Sequence, residues 1–462
     1  MNAPFDLSAD LDTPVSAYLK LKPLNPRYLL ESVVGGERVG RWSFLGFGEA
    51  FEVRLQDDVL TVDGESQPAP QDAAGLLDAL RGALARAPRP GPDADLPFSG
   101  GLVGVAGWEI VRRLERVQST ARATGEPELA YVATRSMLVF DHATRRAAVL
   151  HDGSEAERLA LRARVIDALR GPLPAPESAA KPFMTEPVAS MDKDAFIDAV
   201  ERVKAYIAAG EVYQLVLSMS FEGETNVAPF EVYRALRLLN PSPYMTYVDL
   251  GDRVIVGSSP EALVTLSGRQ ATLRPIAGTR PRGRDEEDDR QHEQDLLADP
   301  KEASEHVMLV DLARNDLGRV AMAGTVEVAP YRVIERYSHV MHIVSGVTGT
   351  LAPDYDCFDL FAATFPAGTV VGAPKVRAMN VIDELEPVQR GLYAGTVGYF
   401  GHGGTMDQAI AIRTLVFSEG RYRVQAGAGL VADSVPAAEH AECEHKSMAL
   451  RAALKLAVEG LP

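Results

Sequence analysis

Cysteine is almost missing from this 462-residue sequence, basic side chains are outnumbered, and no long uncharged apolar run occurs. Each shortage excludes something. Two cysteines, Cys357 and Cys443, are too few for a disulfide framework and too isolated for a zinc site. Lys and Arg number 47 against 64 Asp and Glu, a formal charge of −17, so the surface repels nucleic acid and anionic lipid. Nothing approaches the roughly 18 apolar residues that span a bilayer. The opening Met1-Asn2-Ala3-Pro4-Phe5-Asp6 lacks the basic start and apolar run of a secretory signal. A cytoplasmic protein with no membrane and no nucleic-acid partner is expected. The acid excess also sets a requirement. An anionic ligand needs a local Arg, backbone N–H groups or a metal to hold it.

What is present suits a soluble protein with a large core: 46% of residues are hydrophobic. Residues 87–99 read as a loop inside a first domain. Five prolines between 171 and 187 read as an extended connector. We expect domains at 1–170 and 190–462, joined by 171–189. Val53-Arg54-Leu55 with Val59-Leu60-Thr61-Val62 reads as a hairpin, and so does Val254–Gly257 with Ala262–Leu266. Asp192 to Ala209 reads as a helix with Phe196, Val200, Val203 and Ile207 on one face. Strands in adjacent pairs rather than strict alternation with helices indicate α+β with antiparallel sheets.

Several segments point towards chemistry. Asp299-Pro300 opens a helix, with Glu302 placed for a capping box. Glu305 falls on the stripe of Met308, Leu309 and Leu312, so its carboxylate points inward, where it needs a cation partner or a metal. The helix from Pro436 to Glu459 carries Glu439, Glu442 and Lys446 on one stripe, and a second inward carboxylate would complete an oxygen-ligand pair for Mg²⁺. Gly427 and Gly429 flank Ala428 in a G-x-G run that is either a bulge or a set of backbone donors for an anion. Arg413, after an apolar strand, is either a surface residue or a carboxylate clamp. His342, alternating with apolar neighbours, reads by default as a core histidine.

Together these segments resemble the chorismate-utilising enzymes. The resemblance rests on Pro275-Ile276-Ala277-Gly278-Thr279-Arg280-Pro281-Arg282-Gly283 and on Lys301-Glu302-x-x-Glu305-His306 through Asp316. It continues in Arg336-Tyr337-Ser338-His339-Val340-Met341-His342, Pro366-Ala367-Gly368-Thr369, Gly372-Ala373-Pro374-Lys375 and 425–436, with outliers at Leu29-Leu30-Glu31-Ser32 and 100–104. It implies large two-layered antiparallel sheets flanked by helices, with a smaller N-terminal α+β domain. By resemblance, Glu305 and Glu442 hold Mg²⁺. Gly278, Thr279, Gly427, Ala428, Gly429 and Lys446 bind chorismate, and Tyr393 and Arg413 clamp its enolpyruvyl carboxylate. Glu261 is the general acid, His342 serves aromatisation, and Thr369 belongs with the catalytic set. Val371, where a small hydroxyl residue is usual, and Ser447, where Ala is usual, put fine positioning in question.

The branch follows from two positions. Gln214 stands where water-using relatives carry a lysine base, and Ala277 stands where aminodeoxychorismate synthases, the alternative reading, carry a nucleophilic lysine. Direct attack by ammonia is left, as in anthranilate synthases. A degenerate binding subunit would have lost Glu305, Glu442 or Arg413, and all three are present. Neither cysteine sits in a Gly-x-Cys-x-Gly setting, so a separate glutamine amidotransferase subunit is expected, in a heterotetramer of two large and two small subunits. The resemblance also implies tryptophan feedback through Ser32, Pro243, Tyr244 and Met245.

Overall fold

The computed structural model describes residues 5–461 except 34–39, 92–95, 118–119, 175–180 and 338–339. Parts of the expected loop and connector, and Ser338 and His339, lie outside the described residues. Among the described residues, 21 strands join into one antiparallel sheet, and three more form a small sheet beside it. The architecture is α+β, with the large sheet curled and flanked by helices.

One arm of the sheet starts at the strand Gln214–Glu224. It pairs with Arg421–Leu430, and this with Thr414–Ser418, then Arg253–Ser259, then Tyr244–Asp249. Tyr244–Asp249 takes Pro26–Glu31 as its other neighbour, so an early strand continues a late sheet. Pro26–Glu31 hands over to Trp42–Gln56, which pairs with Leu129–Asp141, then Gly101–Ala106, Thr396–Gly401, Met406–Ile410 and Ala262–Ser267. The sheet curls until its two arms face each other. Tyr28, Val103, Val132, Ile255, Val397 and Ala409, alternate residues from both arms, pack as one core. Helices cover the outer faces. Phe196, Val200 and Val203 of the helix Lys193–Ala208 are buried there, on the stripe their spacing requires, and Asp192 caps the helix. No helix of the described residues is long and apolar enough to cross a membrane.

The first hairpin forms as its sequence indicates. Leu55 faces Leu60 across a turn whose residues Asp57 and Asp58 have φ of 51° and 57°, the twist that suits a two-residue loop. The second does not form. Arg253–Ser259 and Ala262–Ser267 lie on opposite arms, each with two other partners. Pro260 between them has no N–H to give a ladder, so the chain crosses from arm to arm there rather than turning back. Glu261 sits on the crossing.

Gly104 and Gly398 face each other where an early strand meets a late one. A Cβ on Gly104 would lie 2.1 Å from the Ala130 carbonyl oxygen, and backbone cannot rotate away. Gly104→Ala is expected to cost about 1–3 kcal/mol or more, read as a lower urea midpoint with an unchanged slope. A wild-type midpoint would remove this glycine from the packing account.

Candidate active site

A cavity of about 490 Å³ opens between the Gln214–Glu224/Arg421–Leu430 pair, the helix Pro300–Gly318 and the small sheet. Its walls carry Glu261, Gly278, Thr279, Glu305, His342, Thr369, Tyr393, Arg413, Gly427, Gly429 and Lys446. Residues spread from 261 to 446 in sequence thus meet in one space.

Local structure aims each group. Strand Ile276–Pro281 pairs with Val340–Val344 except for a bulge at Gly278, whose φ is 66°. The bulge turns the Gly278 carbonyl onto His342, 2.9 Å from Nδ1, with Thr279 Oγ1 at 3.1 Å from the same nitrogen. A carbonyl only accepts, so Nδ1 carries the proton and neutral His342 keeps its Nε2 lone pair free. Burial lowers the His342 pKa and favours that neutral form. Arg413 takes φ of 50°, a left-handed conformation uncommon outside glycine, in the link between Met406–Ile410 and Thr414–Ser418. Its guanidinium borders the cavity, and among the described residues no carboxylate lies within ion-pair distance of it. Burial lowers its pKa, against the stabilising charge of Glu261.

Glu261 is the counterpart. Burial pushes its carboxyl up to about 8, against the opposing pull of Thr369 and then Arg413. At neutral pH it carries a proton. The Thr369 hydroxyl is buried, borders the same space and acts on the Glu261 carboxyl.

The two glycines obey the parity of an antiparallel ladder. Ser218, opposite Gly427, gives its N–H to Glu386, and Val216, opposite Gly429, gives its carbonyl to Arg390. Both are therefore non-hydrogen-bonded pairs, and Gly427 and Gly429 turn their N–H groups away from the partner strand. Ala428 differs from its expectation. It pairs with Leu217 inside the ladder, is fully buried and does not border the cavity.

The carboxylates divide. Glu305 borders the cavity with the Gln214 amide 3.4 Å from its carboxylate, and burial raises its pKa against the pull of Gln214, Lys301 and Lys446. Glu442 does not point inward as expected. Its side chain is 47% exposed and pairs with Lys446 at 2.7 Å, while Lys446 also donates to the Gly427 carbonyl. The alanine-rich helix buries Cys443, Ser447 and Leu450, which puts Glu442 on the flank. Glu302 forms no capping box. Asp299 alone caps the helix, and Glu302 reaches Arg280 at 3.2 Å. Among the described residues no three His, Cys, Asp or Glu side chains form a ready-made metal cluster.

Strand pairing brings the Ser32 segment beside 242–245: Glu31 faces Met245, and Val33 N–H donates to Ser242 O at 3.2 Å. Ser32 Oγ is buried without a partner among the described residues. Pro243 borders the main cavity, but Met245 is wholly buried in the core and Tyr244 lines no part of that cavity. Gln425 and Tyr337 also line the cavity, and neither stood out in sequence beyond membership of its motif.

Residues 25–452 match the family model for chorismate binding enzymes. A Thermus thermophilus protein named anthranilate synthase component 1 is 46% identical over 457 residues, covering 98% of this chain and 97% of its own. A Pseudomonas putida protein of the same name is 44% identical over 472 residues, covering 97% and 94%. The crystal structure of anthranilate synthase component I from Streptococcus pneumoniae superposes with a TM-score of 0.80 at 35% identity, covering 97% of this chain and all of that one.

The Glu261 environment has a thermodynamic signature. Between the ordinary carboxyl pKa and about 8, the folded chain holds a proton at Glu261 that the unfolded chain has lost. Stability from this group therefore falls as pH rises through that window. Relative to Glu261→Gln, which does not titrate, the wild type should lose ground between pH 5 and pH 8 in urea unfolding. Parallel pH profiles for the two proteins would contradict the assignment.

Proposed function

This chain belongs to the chorismate binding enzymes, and from that premise we propose that it converts chorismate and ammonia to anthranilate and pyruvate as the large subunit of an anthranilate synthase. The observation that carries the reading is one cavity holding a protonated carboxyl at Glu261, a neutral imidazole with a free Nε2 at His342, and Arg413 without a carboxylate partner among the described residues. Those are the acid, base and anion anchor that the reaction asks for.

In this reading the enolpyruvyl carboxylate sits on Arg413 beside Tyr393, and Gly427 and Gly429 offer backbone N–H groups to the ring carboxylate. Glu305 at the wall and Glu442 on the neighbouring helix flank are the carboxylates that would hold Mg²⁺, and Glu442 would have to exchange its Lys446 partner for the metal to do so. Two carboxylates with substrate oxygens are a usual Mg²⁺ set. Bound there, Mg²⁺ supplies a Lewis acid and a template for the ring carboxylate.

Ammonia attacks C2 while the Glu261 carboxyl protonates the departing C4 hydroxyl, which leaves as water. The C2 proton then passes to His342 Nε2, the enolpyruvyl C–O bond breaks to leave an aromatic ring, and the departing enolate gains at its methylene carbon one proton, matched by the one the added nitrogen sheds, and so becomes pyruvate. Glu261 is a carboxylate after the first step and His342 is protonated after the second, so one proton returned between them resets the site. Ala277, buried and without an amine, offers no nucleophile for the aminodeoxychorismate route.

The relatives are named component 1, which supports a second component, a glutamine amidotransferase. The isolated chain should therefore form fluorescent anthranilate from chorismate, Mg²⁺ and ammonium, ignore glutamine, and stop in EDTA or as Glu305→Gln. Turnover in metal-free buffer would rule out the metal assignment, and glutamine-driven turnover the partner.

Tryptophan feedback belongs to the same reading. The Ser32 hydroxyl, without a partner among the described residues and on the segment paired with 242–245, supports a polar ligand there, and a ligand that shifts the neighbouring cavity wall must couple reciprocally with chorismate. Tryptophan should weaken chorismate binding, and Ser32→Phe should relieve this without loss of uninhibited turnover. A Ser32→Phe enzyme as tryptophan-sensitive as wild type would move the site elsewhere.

A further inference from the structure

The strand Gln214–Glu224 has one complete edge and one interrupted edge. Arg421–Leu430 covers the first over ten residue pairs. Along the second, Gly372–Ala373 pairs with Gln214 and Leu215, Val371 O accepts from Val216 N–H, and Val188–Ala189 pairs with Phe221 and Glu222. Between these lie the Val216 carbonyl and the Ser218 N–H, two groups that a continuing strand would satisfy. No described strand runs there.

A side-chain pair fills the gap. Arg390 Nη2 donates to Val216 O at 2.7 Å, and Glu386 Oε1 accepts from Ser218 N–H at 2.8 Å. The guanidinium supplies the donor and the carboxylate the acceptor that a peptide strand would have offered. The pair is closed on itself, with Nε to Oε2 at 2.9 Å and Nη2 to Oε1 at 2.7 Å, and both side chains are 3% exposed or less.

Its remaining contacts run into the cavity wall. Arg390 Nη1 donates to Val370 O at 2.7 Å, next to Thr369. Its guanidinium lies 5.5 Å from the Tyr393 ring centre and 4.4 Å from that of Trp108. Glu386 also accepts from Ser218 Oγ, which takes a hydrogen bond from Gln425 Nε2 at 2.8 Å. Val216, Val370, Tyr393 and Gln425 all border the cavity, and they come from separate segments of the chain.

We propose that the Arg390–Glu386 pair is a positioning device for the reaction, standing in for an absent strand and fixing the distances between the cavity walls at Val216, Val370, Tyr393 and Gln425. It touches no reacting atom. A buried ion pair is a poor source of net stability, because hydrophobic residues of similar volume often replace one without loss. Four hydrogen bonds to backbone and wall are not replaceable in that way. Wall displacements near an ångström degrade orientation far more than they degrade binding.

The proposal rests on the chorismate reading, and the test separates the two. Wild-type turnover in the ammonia assay tests that reading, and the ratio of variant to wild type tests the pair. Two variants are compared, the double replacement E386L/R390M and the charge-keeping R390K, which lacks the fork needed to reach Val216, Val370 and Glu386 together. Both should fold cooperatively by circular dichroism, the double variant with a lowered thermal midpoint because Val216 O and Ser218 N–H lose their partners. The expected loss in kcat is about tenfold to a hundredfold, with chorismate KM changed less than about threefold. A folded double variant with wild-type kcat would overturn the proposal, as would a KM rise matching the kcat loss. Failure of both variants to fold would do so too, by assigning the pair to the folding core.

Discussion

Two strands separated by two hundred residues of chain, Gln214–Glu224 and Arg421–Leu430, pair over ten residues, and the site depends on that pairing. An antiparallel ladder alternates the direction of its backbone groups, so one register decides which N–H groups are spent within the sheet and which are offered outside it. Here the register spends Ala428 and offers Gly427 and Gly429. A slip of one residue would reverse the assignment and carry Gln425 off the wall. The motif alone, G-x-G, does not contain this information.

The charges of the cavity are arranged around a deficit. A buried guanidinium without a carboxylate is costly, and Arg413 reaches its place through a backbone conformation that few residues other than glycine adopt. The same burial that strains Arg413 keeps Glu261 protonated and His342 neutral. These three groups thus share one cause, exclusion of water, and in the proposed reading an anion arriving at Arg413 would relieve the deficit while leaving Glu261 protonated and His342 neutral. In a chain of net charge −17, Arg413 gives this wall a cation without a carboxylate partner among the described residues, which favours an anion there.

Local pattern made much of this legible. The helix at 193–208, the helix at 436–459 and the hairpin at Asp57–Asp58 follow from periodicity, caps and turn residues, which act within a few positions. Motif wording identified the family and the residues that the cavity gathers. What failed was long-range. The strands at 253–259 and 262–267 look like hairpin partners, yet each has two distant partners that local pattern cannot weigh. Glu442 looked inward because it shares a stripe with Lys446, but the buried stripe runs through Cys443, Ser447 and Leu450. Ala428 falls inside the ladder because parity depends on the partner strand. Arg390 and Glu386 give no signal beyond an ordinary i, i+4 pair of opposite charges, since their task is defined by an edge that other segments leave open.

The continuous sheet carries a burden during synthesis. The strand Gly101–Ala106 completes its ladder only when Thr396–Gly401 exists, nearly three hundred residues later. At the ordinary pace of about 5–20 residues per second, that is a wait of roughly 15–60 s. Throughout it an apolar strand, buried on both faces in the finished protein, has an open edge of the kind that recruits other chains. Such distant pairings also fold slowly once the whole chain is available. The chain is therefore most vulnerable to aggregation while it is still being made, and the yield of active protein depends on how well that nascent edge is shielded.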